Sequence, residues 1–333
     1  MLCSCQYTID MKGRRYTVGN VEVSVVVLTY KPDWNKLKST LKSIIMQKEV
    51  SFEIIVTDDG SERDYCEEIK IYMADAGFNR CVYNKNEKNV GTIKNYLSGI
   101  KRAKGQYIYG ISPGDMLYGD MCLRKMVDFC VEKEARICFG NALYYKNDEN
   151  GFKVFKGINH PKRPLFYREK MPFFIMKSMF FCNENILGAS YMWEKECVLE
   201  CFEKISHSAL YMEDKCGTAV AILKGIRIFH FDENVLWYET GTGVSALGNT
   251  EWNLKIQKDY TNTIYSLKKE YKRERILDAV YIRQVCDNKF KKMIILTFKH
   301  PMFMIYNLVV KLVKVRYTDE SEKLQKELEQ YLK

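Results

Sequence analysis

The segment Val23–Ser61, VSVVVLTYKPDWNKLKSTLKSIIMQKEVSFEIIVTDDGS, constrains the fold of this chain more than any other part of it. An apolar run from Val23 to Leu28 stops abruptly at Thr29-Tyr30-Lys31-Pro32. Leu37, Leu41, Ile44 and Ile45 then recur at the spacing that gathers apolar side chains on one face of a helix. A second apolar run, Phe52 to Val56, ends in Thr57-Asp58-Asp59-Gly60-Ser61. The order is strand, helix, strand, with polar groups at the carboxyl ends of both strands. Open α/β sheets bind their ligands at that edge, so the segment predicts both an architecture and the place of its chemistry.

A chain of 333 residues holds one large domain with an appendage, or two domains. Its hydrophobic fraction of 47% supports a substantial core, and its charged fraction of 28% argues against a polytopic membrane protein. The formal charge of +10 points to an anionic partner: nucleic acid, a phosphorylated ligand or a membrane surface. The 12 cysteines are scattered, with no CxxC pair or zinc-like Cys/His spacing, and read as free thiols of a reducing cytosol. The Cys3-Ser4-Cys5 start lacks the apolar core of a signal peptide.

Residues 1 to about 20 read as an extra strand or a loose arm. Beyond Ser61, a helix is expected from about Asp64 to Gly77, a short strand at Arg80–Tyr83, and an amphipathic helix over Thr92–Lys104. Gln106–Ile111 reads as a third major strand, broken by Ser112-Pro113-Gly114-Asp115. Strands alternating with helices imply a mostly parallel sheet. Cys138 to Phe181, with the strand-like run Ile137–Tyr145, reads as a loop-rich wall over the sheet edge. Trp193–Ile205 and Glu213–Lys224 read as helices, Arg227–Phe231 and Val235–Tyr238 as two strands, and Glu251–Tyr271 as a charged amphipathic helix.

These motifs, in this order, resemble the family 2 glycosyltransferases, the inverting GT-A enzymes that move a sugar from a nucleotide donor. Thr29-Tyr30 resembles the family's "TYN" strand end, and Asp58-Asp59-Gly60-Ser61 its "DDGS" turn. Asn89-Val90-Gly91 with Lys94-Asn95 is similar to "N-x-G…R-N", with Lys for Arg, and Lys104-Gly105-Gln106-Tyr107-Ile108 to "A-x-G-E-Y-I". Glu213-Asp214 resembles the acidic pair that supplies the catalytic base. The resemblance covers about Val23 to Ser245. It implies a GT-A fold: a Rossmann-like, mostly parallel α/β sheet flanked by helices, with a helical C-terminal extension. The expected division is a glycosyltransferase domain over 1–250, with a nucleotide-binding half at about 21–118 and an acceptor half at about 119–250, and a helical region over 251–333.

A strand-end carboxylate such as Asp58 or Asp59 can accept a hydrogen bond from a nucleobase imide or a ribose hydroxyl; the resemblance favours that role, with Thr29, Tyr30, Asn89, Gly91 and Lys94 completing the donor-nucleotide site. The plain alternative is that Asp59-Gly60 makes a turn and Asp58 caps the next helix. Lys94, early in a helix after a glycine loop, suits a diphosphate or is an ordinary solvated lysine. The family's D-x-D-D metal motif is replaced by Ser112-Pro113-Gly114-Asp115, which leaves Asp115 as the one carboxylate for Mn²⁺ or Mg²⁺. Mg²⁺ often takes one or two carboxylates and completes its shell with phosphates and water; alternatively Asp115 is a turn residue. By resemblance Asp214 is the general base that inverting transfer needs near the acceptor hydroxyl, with Glu213 its neighbour; helix-capping acids are the competing explanation. Glu239, in Tyr238-Glu239-Thr240-Gly241-Thr242-Gly243, stands where the family carries an arginine. His230 is either a metal ligand or a strand histidine; Trp193, Trp237, Phe173 and Phe174 either stack on sugars or pack the core.

From Asn288 to Thr318 there is no acidic residue, and Lys289, Lys291, Lys292, Lys311 and Lys314 interleave with apolar runs that Lys299-His300-Pro301 interrupts. Neither half reaches the ~20 residues of a spanning helix. The pattern fits a helix lying in an anionic membrane surface, or one packed on the protein or on a second copy. The implied function is an inverting transfer from a UDP-sugar to a lipid-linked or saccharide acceptor in cell-surface polysaccharide assembly, on the cytoplasmic face of the membrane, with no nucleic-acid partner. An inactive GT-A-like scaffold and a nucleotidyltransferase are the alternatives; the latter calls for a glycine-rich loop after the first strand, which Thr29-Tyr30-Lys31-Pro32 is not.

Overall fold

The computed structural model describes residues 7–9, 15–17, 20–149, 153–159, 161, 163–183, 186–241, 250–312 and 321–331. Two short strands, β1 (Tyr7–Ile9) and β2 (Arg15–Thr17), pair as an antiparallel ribbon. The main unit then opens with β3 (Val23–Thr29), α1 (Trp34–Ile45), β4 (Phe52–Asp58), α2 (Cys66–Asp75), β5 (Cys81–Lys85), α3 (Thr92–Ile100) and β6 (Tyr107–Ile111). Next come β7 (Met116–Leu117), α4 (Cys122–Glu132), β8 (Ile137–Asn147), β9 (Lys153–Asn159), α5 (Phe173–Asn183), β10 (Tyr191–Glu194), α6 (Lys195–Ile205), α7 (Glu213–Leu223) and β11 (Phe229–Glu239). Helices α8 (Thr250–Glu270), α9 (Arg275–Val285), α10 (Lys289–Lys299), α11 (Pro301–Leu312) and α12 (Ser321–Tyr331) complete the described chain.

The sheet order is β5-β4-β3-β6-β10-β8-β11-β7, with β9 added beside β8. Strands β5, β4, β3 and β6 are mutually parallel, as the alternation of strands and helices requires. Both faces of this half are covered, which is why β3 and β4 read as near-continuous apolar runs rather than alternating ones; the exceptions, Ser24 and Glu53, satisfy each other through a 2.7 Å hydrogen bond from the Ser24 hydroxyl. Val26 of β3, Ile55 of β4 and Ile108 of β6 face one apolar layer, shared with α3, α6 and α7. Val25, Val27, Ile54 and Val56 face the other, where α1 buries Leu37, Leu41 and Ile44. Asp33 starts α1 by accepting the Lys36 N–H at 3.0 Å, a side-chain N-cap.

Three regions differ from the sequence reading. Trp193 lies in a strand, not a helix: Tyr191–Glu194 is inserted antiparallel between β6 and β8, and the helix begins only at Lys195. Pairing on both sides outweighs the helical pattern that continues through Glu196–Phe202. The two strands expected around 227–238 are one strand, β11, whose register against β8 shifts between His230 and Leu236. The stretch expected to be a loop-rich wall contributes β8, β9 and α5. The described residues beyond β11 are largely helical, as expected, and α12 returns to the sheet, burying Leu324 and Leu328 against Met116, Leu143, Tyr145 and Trp237. Among the described residues no helix is long and apolar enough to cross a membrane.

Candidate active site

The carboxyl ends of β3 and β4 carry the first cluster of site residues. Thr29 and Asp58 face each other in parallel register, and Thr29 is buried while Tyr30 is half exposed. Asp58 is fully buried; its Oδ1 accepts the Ser61 N–H at 2.7 Å and its Oδ2 accepts the Tyr83 hydroxyl at 3.3 Å. Asp59 reaches across to the loop ahead of α3: Oδ1 accepts Val90 N–H at 2.8 Å and the Asn86 amide at 3.2 Å, and Oδ2 accepts Gly91 N–H at 3.0 Å. Gly60, which follows Asp59, has φ +75°, and a Cβ there would lie 2.5 Å from the Lys88 carbonyl carbon. Only glycine permits that approach of two backbones. The two aspartates therefore build the loops 58–61 and 86–91 and lock them together. Asn89 and Lys94 are exposed on that loop and on α3, and Gly91 is buried at its end. Asn86 and Asn95, which the motif reading did not assign, complete the network: Asn86 Nδ2 donates to Asn95 Oδ1 at 2.9 Å.

Beside these loops lies a cavity of about 360 Å³ over the sheet's carboxyl edge. Its walls include Leu28, Thr92, Asp115, Glu239, Glu213 and Asp214. The structure thus brings the expected metal carboxylate and the expected base pair into one cavity, although about 100 residues separate them in sequence. Of the expected nucleotide residues, Thr29, Tyr30, Asp58, Asp59, Asn89, Gly91 and Lys94 do not line it; they form the adjoining loops, whose neighbours Leu28 and Thr92 do.

Asp115 follows Gly114, whose φ is +100°. The Asp115 Oδ1 accepts the Glu239 N–H at 3.1 Å, tying the loop after β6 to the end of β11. Burial pushes its carboxyl well above the ordinary range, against the pull of the Glu239 and Ser112 N–H groups. Glu239 was singled out in the sequence only as a departure from the family arginine, and it proves to be a cavity residue. Its Oε1 accepts Lys36 Nζ at 2.8 Å and Asn147 Nδ2 at 2.7 Å; its Oε2 is buried with no hydrogen-bond partner.

Glu213 and Asp214 open α7. The loop ahead of them is held by Asp259 of α8, whose Oδ2 accepts the Leu210 and Tyr211 N–H groups at 2.9 and 2.7 Å. Both side chains are partly accessible and line the cavity. Desolvation raises both carboxyls; Glu213 is pushed up to about 8, with the charges of Asp214 and Asp259 adding to the effect of burial. For Asp214 the Lys215 N–H and the Lys215 ammonium work in the other direction.

His230 is a strand histidine: it sits near the start of β11, away from the cavity lining, with Nε2 2.9 Å from Asn141 Oδ1 and its ring stacked on Phe139. Trp193 lines the cavity, whereas Trp237 packs under α12 and Phe174 is exposed on α5. Among the described residues there is no cluster of three His, Cys, Asp or Glu that could hold a metal. Gly243, Val244 and Ser245, and the basic residue Lys314, lie outside the described residues.

Known proteins place this arrangement. An uncharacterized glycosyltransferase of Rickettsia bellii is 29% identical over 156 residues, 46% of this chain and 21% of its own. Glycosyltransferase GlyG of Streptococcus pneumoniae serotype 4 is 30% identical over 128 residues, 38% of this chain and 40% of its own. The chain thus spans well under half of the length of these relatives. Among solved structures, Staphylococcus aureus TarS 1-349 in complex with UDP-GlcNAc superposes with a TM-score of 0.56 at 15% identity, covering 87% of this chain and 79% of that one. The mannosyltransferase PcManGT of Pyrobaculum calidifontis, in complex with GDP-Man and Mn²⁺, gives 0.56 at 11% identity, covering 95% and 86%. These likenesses establish the GT-A fold: a mostly parallel sheet with flanking helices and a helical C-terminal region. The model of glycosyl transferase family 2 matches residues 24–193, more than half of the chain, and the chain belongs to that family.

Proposed function

We propose that the protein is an inverting glycosyltransferase that moves one sugar from a nucleotide-sugar donor, a UDP-sugar in the first instance, to a hydroxyl of a lipid-linked or saccharide acceptor in cell-surface polysaccharide assembly. The observation that carries this reading is the single cavity in which Asp115 and Asp214 face the same space beside the loops after β3 and β4. The nucleoside lies against Thr29, Tyr30 and the 58–61 and 86–91 loops, which Asp58 and Asp59 hold in shape from within. Lys94, exposed at the start of α3, offers a cation to the diphosphate at a helix amino end.

Asp214 is the general base. The acceptor oxygen attacks the anomeric carbon from the face opposite the leaving group as its proton passes to the Asp214 carboxylate. The bond from that carbon to the diphosphate oxygen breaks, and the nucleoside diphosphate departs with the electron pair. One displacement at one carbon inverts its configuration. The residues present fit a divalent cation at the leaving-group end, where Asp115 lines the cavity beside the unpartnered buried Glu239 oxygen. Asp115 would hold a Mn²⁺ or Mg²⁺ ion there, and the chemistry such an ion would supply is neutralisation of the developing diphosphate charge. Binding of UDP, GDP and dTDP measured by calorimetry tests the reading: uridine nucleotides are expected to bind, and binding of none of the three contradicts it.

The acidic pair gives a pH signature. With Asp214 raised, the rising limb of kcat/KM against pH is expected above the ordinary carboxylate range. Glu213, near 8 in the folded chain and 4.5 by its ordinary value, stays mostly protonated at neutral pH and can donate a hydrogen bond to the acceptor. Between those two values the folded state binds more protons than the unfolded one, so stability falls as pH rises through that window. Glu213→Gln is expected to remove that slope, gaining on the order of 2 kcal/mol over the wild type at pH 9 in denaturant titrations; an unchanged slope contradicts the assignment.

Helices α10 and α11 carry the proposed membrane contact. Phe290, Met293, Phe298, Met302, Leu308 and Leu312 are all more than half exposed, Phe298 by 84%, beside Lys289, Lys291, Lys299 and Lys311. Apolar side chains flanked by ammonium groups, with no helix able to cross a bilayer among the described residues, suit an anionic interface. Phe298→Asp is expected to lower partitioning onto phosphatidylserine-containing vesicles by at least about tenfold, since burying one phenyl ring is worth roughly 1.5–3 kcal/mol. Equal sedimentation of wild type and variant excludes this role.

A further inference from the structure

We infer that Glu239, at the end of β11, supplies the second protein carboxylate of the divalent-cation site that Asp115 begins. This rests on the transfer reading above, and it concerns a residue that the family pattern does not supply. The loop after β6 offers Ser112, Pro113 and Gly114 ahead of Asp115, so it brings only one carboxylate to the cavity. The space where a side chain on residue 114 would begin is filled from another element: a Cβ built on Gly114 would lie 2.2 Å from Glu239 Oε2. The glycine and the glutamate are therefore sterically complementary. With any larger residue at 114 the Glu239 carboxylate must move, and with glycine there it reaches the loop.

That oxygen has the properties of a ligand without its ion. Glu239 is 3% exposed, and Oε2 is buried with no hydrogen-bond partner. A buried carboxylate oxygen left bare costs the full desolvation of a charged acceptor, so Oε2 calls for a partner of its own, an ion or a water, beyond the Lys36 that serves Oε1. Lys36 and Asn147 both approach Oε1, leaving Oε2 for a different partner. The Glu239 N–H is fixed to Asp115 Oδ1 at 3.1 Å, so the two residues are held side by side on the cavity wall. Two carboxylates from separate elements, with diphosphate oxygens and water, meet the oxygen-only preference of Mg²⁺ and Mn²⁺. Lys36 beside Oε1 keeps the pair from standing as two uncompensated charges when no cation is bound.

The test is Mn²⁺ binding to the full chain, followed by the loss of the free Mn²⁺ electron paramagnetic resonance signal, with Mn²⁺ alone and with Mn²⁺ plus UDP. Wild type is expected to bind one ion. Glu239→Gln, close in shape and still able to accept from Lys36, is expected to weaken binding by at least the 10- to 100-fold that loss of an outer-shell partner costs. Glu239→Asp, which keeps the charge but draws it back by one methylene, should fall between the two and guards against a folding defect in the first variant. Lys36→Met should bind Mn²⁺ at least as tightly as wild type, because it removes a cation from beside the ion. UDP affinity in EDTA should be the same in all four proteins, and its loss in the wild type would count against the transfer reading rather than against this site. Wild-type Mn²⁺ affinity in Glu239→Gln, or no Mn²⁺ binding by the wild type in either condition, overturns the inference.

Discussion

Asp214→Asn is expected to lower kcat for sugar transfer by roughly 10²- to 10⁴-fold, the usual contribution of a positioned general base, while donor affinity stays unchanged. The amide keeps the size of the side chain and removes only its ability to take a proton. The location of Asp214 makes the test clean. Its backbone is the first turn of α7, anchored through Asp259 on α8 and covered by Gly188, where a Cβ would already lie 3.2 Å from the Asp214 Cβ. The substitution therefore changes chemistry rather than position. Glu213→Gln is the comparison, because Glu213 shares the cavity but, with its carboxyl pushed up to about 8, holds its proton at neutral pH. A variant Asp214→Asn with wild-type turnover would show that the proton leaves by another route.

The second large effect concerns the fold of the nucleotide edge. Asp59→Ala removes the acceptor of the Val90 and Gly91 N–H groups and of the Asn86 amide, in a residue that is only 4% exposed. Each buried donor left without a partner costs about 1–3 kcal/mol, so a loss on the order of 3–5 kcal/mol is expected in guanidinium titrations. Uridine nucleotide affinity should fall with it, because the 86–91 loop loses its hold on the turn at Gly60. A variant that kept both stability and affinity would show that Asp59 is neither a brace nor a part of the donor site.

The parallel half of the fold was legible because its signals are local and agree with one another. Buried runs at Val23–Leu28 and Phe52–Val56, the Asp33 cap and the apolar face of α1 all point to one arrangement. The antiparallel insertion was not legible: Tyr191–Glu194 is four residues long, and its strand character comes from partners at Ile108 and Phe139 rather than from its own sequence. The bulged β11 was read as two strands because the polar Asp232-Glu233-Asn234 interrupts its apolar pattern. In the site, the acidic residues were visible and their surroundings were not. Asp59 and the loop it braces are 31 residues apart, and the pairing of Glu239 with Gly114 spans β11 and the loop after β6. No local pattern reports contacts of that kind. An acid directly before a Thr-Gly-Thr-Gly stretch was the one available hint for Glu239.

Turnover of a nucleotide sugar at the cavity that joins Asp115 to Asp214 is the most direct test of this chemistry. Release of nucleoside diphosphate from a panel of UDP-, GDP- and dTDP-sugars, with Mn²⁺ and with EDTA, measures it in wild type and in Asp214→Asn. Release from at least one donor by the wild type is expected, stronger with Mn²⁺ than with EDTA and lost in the variant. No release from any donor under either condition, or equal release by the two proteins, would contradict it.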